Sequence, residues 1–251
     1  MRLLSILASL PVLILLVIFA GQVPGRASSP GTGPIVLELF TSEGCSSCPP
    51  ADKLLGELER RASVNGRPIL IMSEHVDYWD GLGWKDRFSS SVFTQRQTDY
   101  ARRLGTGSPY TPQMVINGRI EVVGNDDAAI TQRLATLGST GNAVVTLGLD
   151  PSLNATVKVQ GAPAGSRVLL AITEDKLSTH VQRGENGGRE LQHAGVVRRL
   201  NDIGAVKSGN LETTLPVKLD PAWRRENLRL IVLVQNSAGG PIEGAATAAL
   251  Q

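Results

Sequence analysis

The sequence predicts an α/β domain over residues 34–139 followed by an all-β, sandwich-like domain over residues 140–251. Three observations predict it. Strand and helix signals alternate through residues 34–139. From about residue 143 onward helical periodicity fades, and about seven short β-type runs recur between Gly, Pro and Asn turns. The chain's 2 cysteines, Cys45 and Cys48, stand three residues apart at a strand-to-helix turn.

Ahead of these zones, Arg2 precedes an apolar run from Leu3 to Ala20, and a small-residue stretch Gly25-Arg26-Ala27-Ser28 follows. That order describes a secretory signal over residues 1–27, with an uncleaved membrane anchor as the alternative. Residues 28–33 read as a linker. The formal net charge is +2, and it falls to 0 once Arg2 and Arg26 leave with the signal. No basic run remains to grip phosphates, so the composition argues against nucleic acid as a partner.

Each element of the first domain has a local cause. Ile35-Val36-Leu37-Glu38-Leu39-Phe40 is a nearly continuous apolar run, as a buried parallel strand requires. Pro49 and Pro50 suit a first helical turn, and Ala51, Leu54, Leu55, Leu58 and Ala62 share one helical face. Residues 68–73 form the next strand. A loop over 74–87 holds Trp79 and Trp84, and a helix over 89–104 offers Val92, Tyr100 and Leu104 for packing. Asn117-Gly118 between two β-type runs signals a hairpin. Asp126 caps a last helix carrying Ile130, Leu134 and Leu137. Strand, helix, strand, helix, hairpin and helix, with C-x-x-C after the first strand and Pro112 before the hairpin, is the thioredoxin-like order.

In an exported chain an even cysteine count reads as disulfide bonding. A bridge closing so small a loop removes little chain entropy, however, and is a poor staple. Thiol–disulfide exchange needs an attacking thiolate and a nearby resolving thiol. A helix N-terminus stabilises the thiolate through its dipole and free amides. Cys45 is the expected attacking thiol and Cys48 the resolving one. The alternative is a soft-metal site of Cys45, Cys48 and His75, suited to copper. Nucleotide-binding, zincin and α/β-hydrolase motifs are absent.

The segments E-L-F-T-S-E-G-C-S-S-C-P-P-A-D at 38–52, H-V-D-Y-W-D-G-L-G-W-K-D at 75–86 and T-P-Q-M-V-I-N-G at 111–118 resemble one family. It is the secreted, thioredoxin-like family catalogued as domain of unknown function 1223. The resemblance continues through residues 183–198 and 240–246, and it implies a periplasmic or secreted setting in a Gram-negative bacterium. The thioredoxin-like resemblance further implies that Thr111-Pro112 is cis and lies beside the sulfurs, with Thr111 meeting substrate backbone. It also implies a buried acid near the motif. Leu39 occupies the usual position, which leaves Glu38 as the candidate proton shuttle, or else as the partner of a nearby base.

Trp79 and Trp84 are expected to form a docking rim around the sulfurs or to pin their loop. His75 has three readings: thiolate partner, metal ligand or loop cap. His193 is expected on a surface strand, the alternative being a fold-back over the cysteines with Arg198 and Arg199 recognising a carboxylate. The expectation is a periplasmic or secreted thiol–disulfide oxidoreductase whose partners are protein thiols, protein disulfides or a redox partner protein. A copper chaperone or a redox-inert binding module is the alternative. Membrane contact is expected only through an uncleaved N-terminal segment.

Overall fold

The computed structural model describes residues 33–139 and 141–250. The expected signal segment and all of the linker but Gly33 lie outside the described residues. Strands take up 41% of what is described and helices 18%.

The first half runs β1 (Ile35–Thr41), α1 (Pro49–Arg61), β2 (Ser63–Val64), β3 (Arg67–His75), α2 (Ser91–Leu104), β4 (Gln113–Ile116), β5 (Ile120–Val123) and α3 (Asp127–Ala135). The second half adds β6 (Val144–Leu149), β7 (Asn154–Gln160), β8 (Arg167–Glu174), β9 (Leu177–His180), β10 (Glu190–His193), β11 (Val196–Ala205), β12 (Asn210–Pro216), β13 (Leu228–Gln235) and β14 (Ile242–Ala249).

The strands of the two halves do not form two domains of different class. They join in one large mixed sheet with the order β14-β13-β8-β11-β3-β1-β4-β5, and β2 pairs with β3 off this path. The junction is β11 against β3, parallel, with Val196 opposite Ser73. An α/β thioredoxin-like domain followed by a separate all-β domain is therefore corrected to one mostly β, mixed-sheet architecture. The cause is edge pairing: a bare edge on β3 would leave a row of unpaired N–H and C=O groups, and a strand from the second half takes it.

β1 is buried along its whole length and pairs with β3 on one side and β4 on the other. Its alternation sorts the residues by face. Ile35, Leu37 and Leu39 pack with Ala51, Leu54, Leu55 and Leu58 of α1 and Ile130 and Leu134 of α3. Val36 and Phe40 join clusters on the other face, with Phe93 and Tyr100 of α2. A three-stranded sheet, β12-β7-β6, covers the β8–β13–β14 region through Val145, Leu147, Val157, Leu170, Leu230 and Val232.

Several local expectations met different tertiary surroundings. Ser90 caps α2 by accepting from Val92 N at 3.2 Å, yet Val92 itself is half exposed. The face that α2 buries carries Phe93, Arg96, Gln97, Tyr100 and Ala101, because Arg96 and Tyr100 meet Glu38 of β1. Asn117 and Gly118 turn the β4–β5 hairpin with φ of 51° and 62°, the signature of a type I′ turn. A Cβ on Gly118 would come within 2.4 Å of Gly240 O, so only glycine fits there. The β9–β10 hairpin was not expected at all; it packs β10 onto α1 and so brings the second half to the cysteine turn.

Candidate functional site

The chain leaves β1 at Thr41 and turns at once. Gly44 N donates to Ser42 Oγ (3.1 Å), Cys45 N to Ser42 O (3.2 Å) and Cys48 N to Cys45 O (3.2 Å). Cys48 is the N-cap residue of α1, with prolines at the first two helical positions. Cys45 and Cys48 are bonded to each other, with 5.4 Å between their Cα atoms. Pro49 and Pro50 have no N–H, and the amides of Ala51 and Asp52 bond Cys48 O at 2.8 and 3.1 Å. Stabilisation of a thiolate here thus rests on the helix dipole and on the Ser47 hydroxyl, 3.3 Å from Cys45 Sγ.

Both cysteines are fully buried. What seals them is the loop between β9 and β10. Asn186, itself buried, donates from Nδ2 to Glu43 O (3.0 Å) and Cys45 O (2.9 Å), and Arg189 Nη1 holds Asn186 Oδ1 at 3.0 Å. Glu185 Oε2 accepts from Ser46 N at 3.0 Å. The loop crosses the 74–87 segment where Gly83 meets Gly184, a Cβ on Gly83 lying 3.3 Å from Gly184 Cα.

The two tryptophans form the adjoining wall, each tethered through its indole N–H. Trp84 Nε1 donates to Glu43 Oε2 at 2.8 Å, and Trp79 Nε1 donates to Thr111 Oγ1 at 2.9 Å. Trp79 also lies against Gly44, where a Cβ would stand 3.3 Å from its own. The Thr111–Pro112 peptide bond is cis, and the buried Pro112 accepts from Gly124 N at 2.9 Å.

Glu38 lies elsewhere. Its carboxylate accepts from Arg96 Nε at 2.6 Å and from Tyr100 OH at 2.5 Å, on the α2 face of the sheet, whereas Cys48 starts the helix that covers the opposite face. Of the two readings of Glu38, the structure matches the partner of a nearby base: strand alternation turns Glu38 to the face opposite α1, where Arg96 of α2 holds it, and not toward Cys48 as a shuttle would need.

A different set of acids and bases gathers beneath the cysteine turn. His75 Nδ1 and Asp86 Oδ2 are 2.6 Å apart, both buried. The same Asp86 oxygen accepts from Glu43 N (2.8 Å), and Asp86 Oδ1 accepts from Phe88 N (2.8 Å). His193 is not on the surface but buried, with Nε2 3.4 Å from Glu43 Oε1. The expected surface strand position is corrected because the β9–β10 hairpin folds inward onto α1. The rings of His75 and His193 meet edge to face at 5.1 Å, and Phe88 contacts both. Asp52 of α1 lies one turn beyond Cys48 and is also buried.

The environment sets the charges. Burial alone would push the His75 imidazole down, but Asp86, with help from Asp52 and Glu43, raises it above its ordinary value. Burial pushes Asp86 up, and the charge and hydrogen bond of His75 with two backbone amides bring it below the ordinary value. Glu43 is held low against burial chiefly by His193. His75 and Asp86 therefore form an ion pair.

The ion pair makes stability depend on pH. The stability that His75 contributes is complete below its unfolded value of 6.5 and is lost as pH rises through the higher folded value. Asp86 contributes above its unfolded value of 3.8 and loses that contribution as pH falls through the lower folded value. Denaturant unfolding between pH 5 and 9 is expected to show wild-type stability declining above about pH 6.5, and His75→Gln flattening that decline. Parallel curves for the two proteins would refute the ion pair.

Among the described residues, no group of three or more His, Cys, Asp and Glu side chains is arranged to hold a metal ion. For the soft-metal alternative, Cys45 and Cys48 are joined in the disulfide and His75 Nδ1 faces Asp86. No helix among the described residues is long and apolar enough to cross a membrane. The sequence reading missed Glu43, Asp52, Asp86, Glu185 and Asn186. An acid in a first helical turn ordinarily reads as a solvent-facing complement to the dipole, so Asp52 gave no signal of burial.

A family model described as "Protein of unknown function (DUF1223)" matches residues 36–235. No curated protein matches the chain. Among solved structures, the crystal structure of protein AGR_C_4864 from Agrobacterium tumefaciens is 28% identical, with a TM-score of 0.69 over 89% of this chain and 96% of that one. HBP35 of Porphyromonas gingivalis is 15% identical, with a TM-score of 0.63 over 88% of this chain and 76% of that one, a likeness of fold alone.

Proposed function

The chain belongs to this family of proteins of unknown function, and from that premise we propose that it is a periplasmic or secreted thiol–disulfide oxidoreductase acting through Cys45 and Cys48. One observation carries the reading. The 2 cysteines are bonded to each other across a single turn at the start of α1, where a bridge contributes little as a staple and much as a reversible redox couple.

From the oxidised state, a substrate thiolate attacks Cys45 Sγ and the Cys45–Cys48 bond breaks, with Cys48 leaving as thiolate. A second substrate thiolate then attacks the substrate sulfur of the mixed disulfide and releases the Cys45 thiolate. The substrate dithiol loses two electrons and becomes a disulfide; the cysteine pair gains them and, with two protons, becomes a dithiol. The reverse sequence reduces a partner disulfide. Trp79, Trp84 and Thr111 border the turn and form the surface on which an extended protein thiol or disulfide would rest.

Trapping tests the reading directly. Cys48→Ala is expected to hold a mixed disulfide through Cys45, visible as a reductant-sensitive adduct on non-reducing gels of periplasmic extract. Cys45→Ala is expected to trap none. Absence of adducts with Cys48→Ala, together with a wild-type pair that exchanges with no dithiol, would sink the proposal.

A further inference from the structure

Exchange creates a problem at Cys48. The leaving thiolate is generated at a fully buried position, and a buried thiolate without a proton or a partner is strongly disfavoured. A proton source must lie close by, and it must itself be refilled from solvent.

We propose that Asp52 is that source: it transfers a proton to and from Cys48 and communicates with water through the groove between α1 and β10. The inference rests on the exchange reading above. Asp52 stands four residues after Cys48 on one helix, its backbone N bonded to Cys48 O, a spacing that puts their Cβ atoms about 5–6 Å apart on one face. Its side chain is almost wholly buried, and Oδ1 has no hydrogen-bond partner. Of the neighbouring acids, Asp86 is held by His75 and two amides, and Glu43 accepts from Trp84 through Oε2 while its Oε1 has no hydrogen-bond partner.

Asp52 lines a groove of about 680 Å³ together with His193, whose Nδ1 also lacks a partner. Thr41 of β1, His75 at the end of β3, Asp86 and His193 face the carboxyl from the elements around it. Lys53, Glu59, Arg60, Asp175, Lys176, Glu190 and Arg229 line the groove farther out. Burial, opposed by His193 and His75, raises the Asp52 carboxyl above its ordinary value, as a proton donor requires.

The step balances. As the Cys45–Cys48 bond breaks, the electron pair goes to Cys48 Sγ, the Asp52 carboxyl gives it a proton, and groove water restores the carboxyl. In reoxidation of a mixed disulfide, the Asp52 carboxylate takes the proton from Cys48, whose thiolate attacks Cys45 Sγ and expels the substrate thiolate.

The test is the rate at which dithiothreitol reduces the disulfide between pH 5 and 9, corrected for the reductant's own thiolate, in wild type, Asp52→Asn, Asp52→Ser and the exposed control Glu57→Gln. Wild type and Glu57→Gln are expected to slow as pH rises through the Asp52 titration. Both Asp52 variants are expected to lose that limb, to run at least about tenfold slower on its acid side, and to show a smaller solvent deuterium effect. A structural role would alter melting temperature without changing the shape of the profile. If wild type exchanges and Asp52→Asn reproduces its profile, the Asp52 assignment is overturned while the exchange reading stands. If wild type does not exchange with any dithiol, the exchange reading itself falls.

Discussion

Arg96→Met is expected to destabilise the protein by about 3–5 kcal/mol, the cost of stranding a buried charge after its partner is removed. Arg96 reaches Glu38 through Nη2 at 2.5 Å and Nε at 2.6 Å, Glu74 through Nε at 3.4 Å, Gln235 through Nη1 at 2.9 Å and Tyr100 through Nη2 at 3.0 Å. Glu38 and Glu74 are both fully buried. Burial, despite the pull of Arg96 and with the push of Glu38, holds the Glu74 carboxyl well above its ordinary value. The network thus holds one guanidinium between two buried acids, with the Glu74 carboxyl biased toward its protonated form. Without Arg96, Glu38 keeps the Tyr100 hydroxyl and the neighbouring Glu74 carboxyl but no positive charge. Denaturant unfolding measures the loss, and Glu38→Gln in the Arg96→Met background is expected to recover at least about half of it by removing the stranded charge. A loss under about 1 kcal/mol, or no recovery, would show that the site is wetter or more adaptable than the network described.

The second large effect is kinetic. Asn186→Ala is expected to accelerate reduction of the Cys45–Cys48 disulfide by a small phosphine about tenfold or more under native conditions. Both cysteines are fully buried, so the reagent reaches sulfur only after the β9–β10 loop opens. Asn186 contributes two hydrogen bonds to that closure, to Glu43 O and Cys45 O. Each is worth about 0.5–1.5 kcal/mol net, and 1.4 kcal/mol multiplies the open population about tenfold. Arg189→Ala is expected to give a smaller increase, since the Arg189 guanidinium acts in this clamp through Asn186 Oδ1. Timed alkylation with mass detection follows both. A wild-type rate for Asn186→Ala would mean that the loop does not control access.

The parts of the site that rest on local signals are legible in the amino-acid sequence. A continuous apolar run followed by C-x-x-C-P-P places two cysteines between a strand and a helix, because side-chain periodicity and the missing proline N–H act within a few residues. Asn117-Gly118 marks its hairpin for the same reason, and Asp126 accepts from Ala129 N at 2.9 Å as a capping residue should. Where the sequence misleads, the deciding partner is remote. Glu38 interrupts an apolar strand, which flags it correctly as a buried charge, but its partner lies on α2, 58 residues away. Val92 fits the apolar periodicity of its helix and is nonetheless half exposed, since the buried face is chosen by the Arg96 and Tyr100 network.

The sequence alone determined the position of the two cysteines at the head of α1, the hairpin, the caps and most strand positions, because these depend on propensity, periodicity and turn chemistry. Only the tertiary structure decided that β11 extends the sheet beside β3, that Glu38 faces away from the sulfurs, and that Asp52, His75 and His193 converge beneath them. It also decided that Asn186 seals the disulfide from 141 residues away. Strand pairing and polar burial are settled by whichever distant groups satisfy an edge or a charge at the least loss of solvation, and that choice leaves no local pattern in the chain.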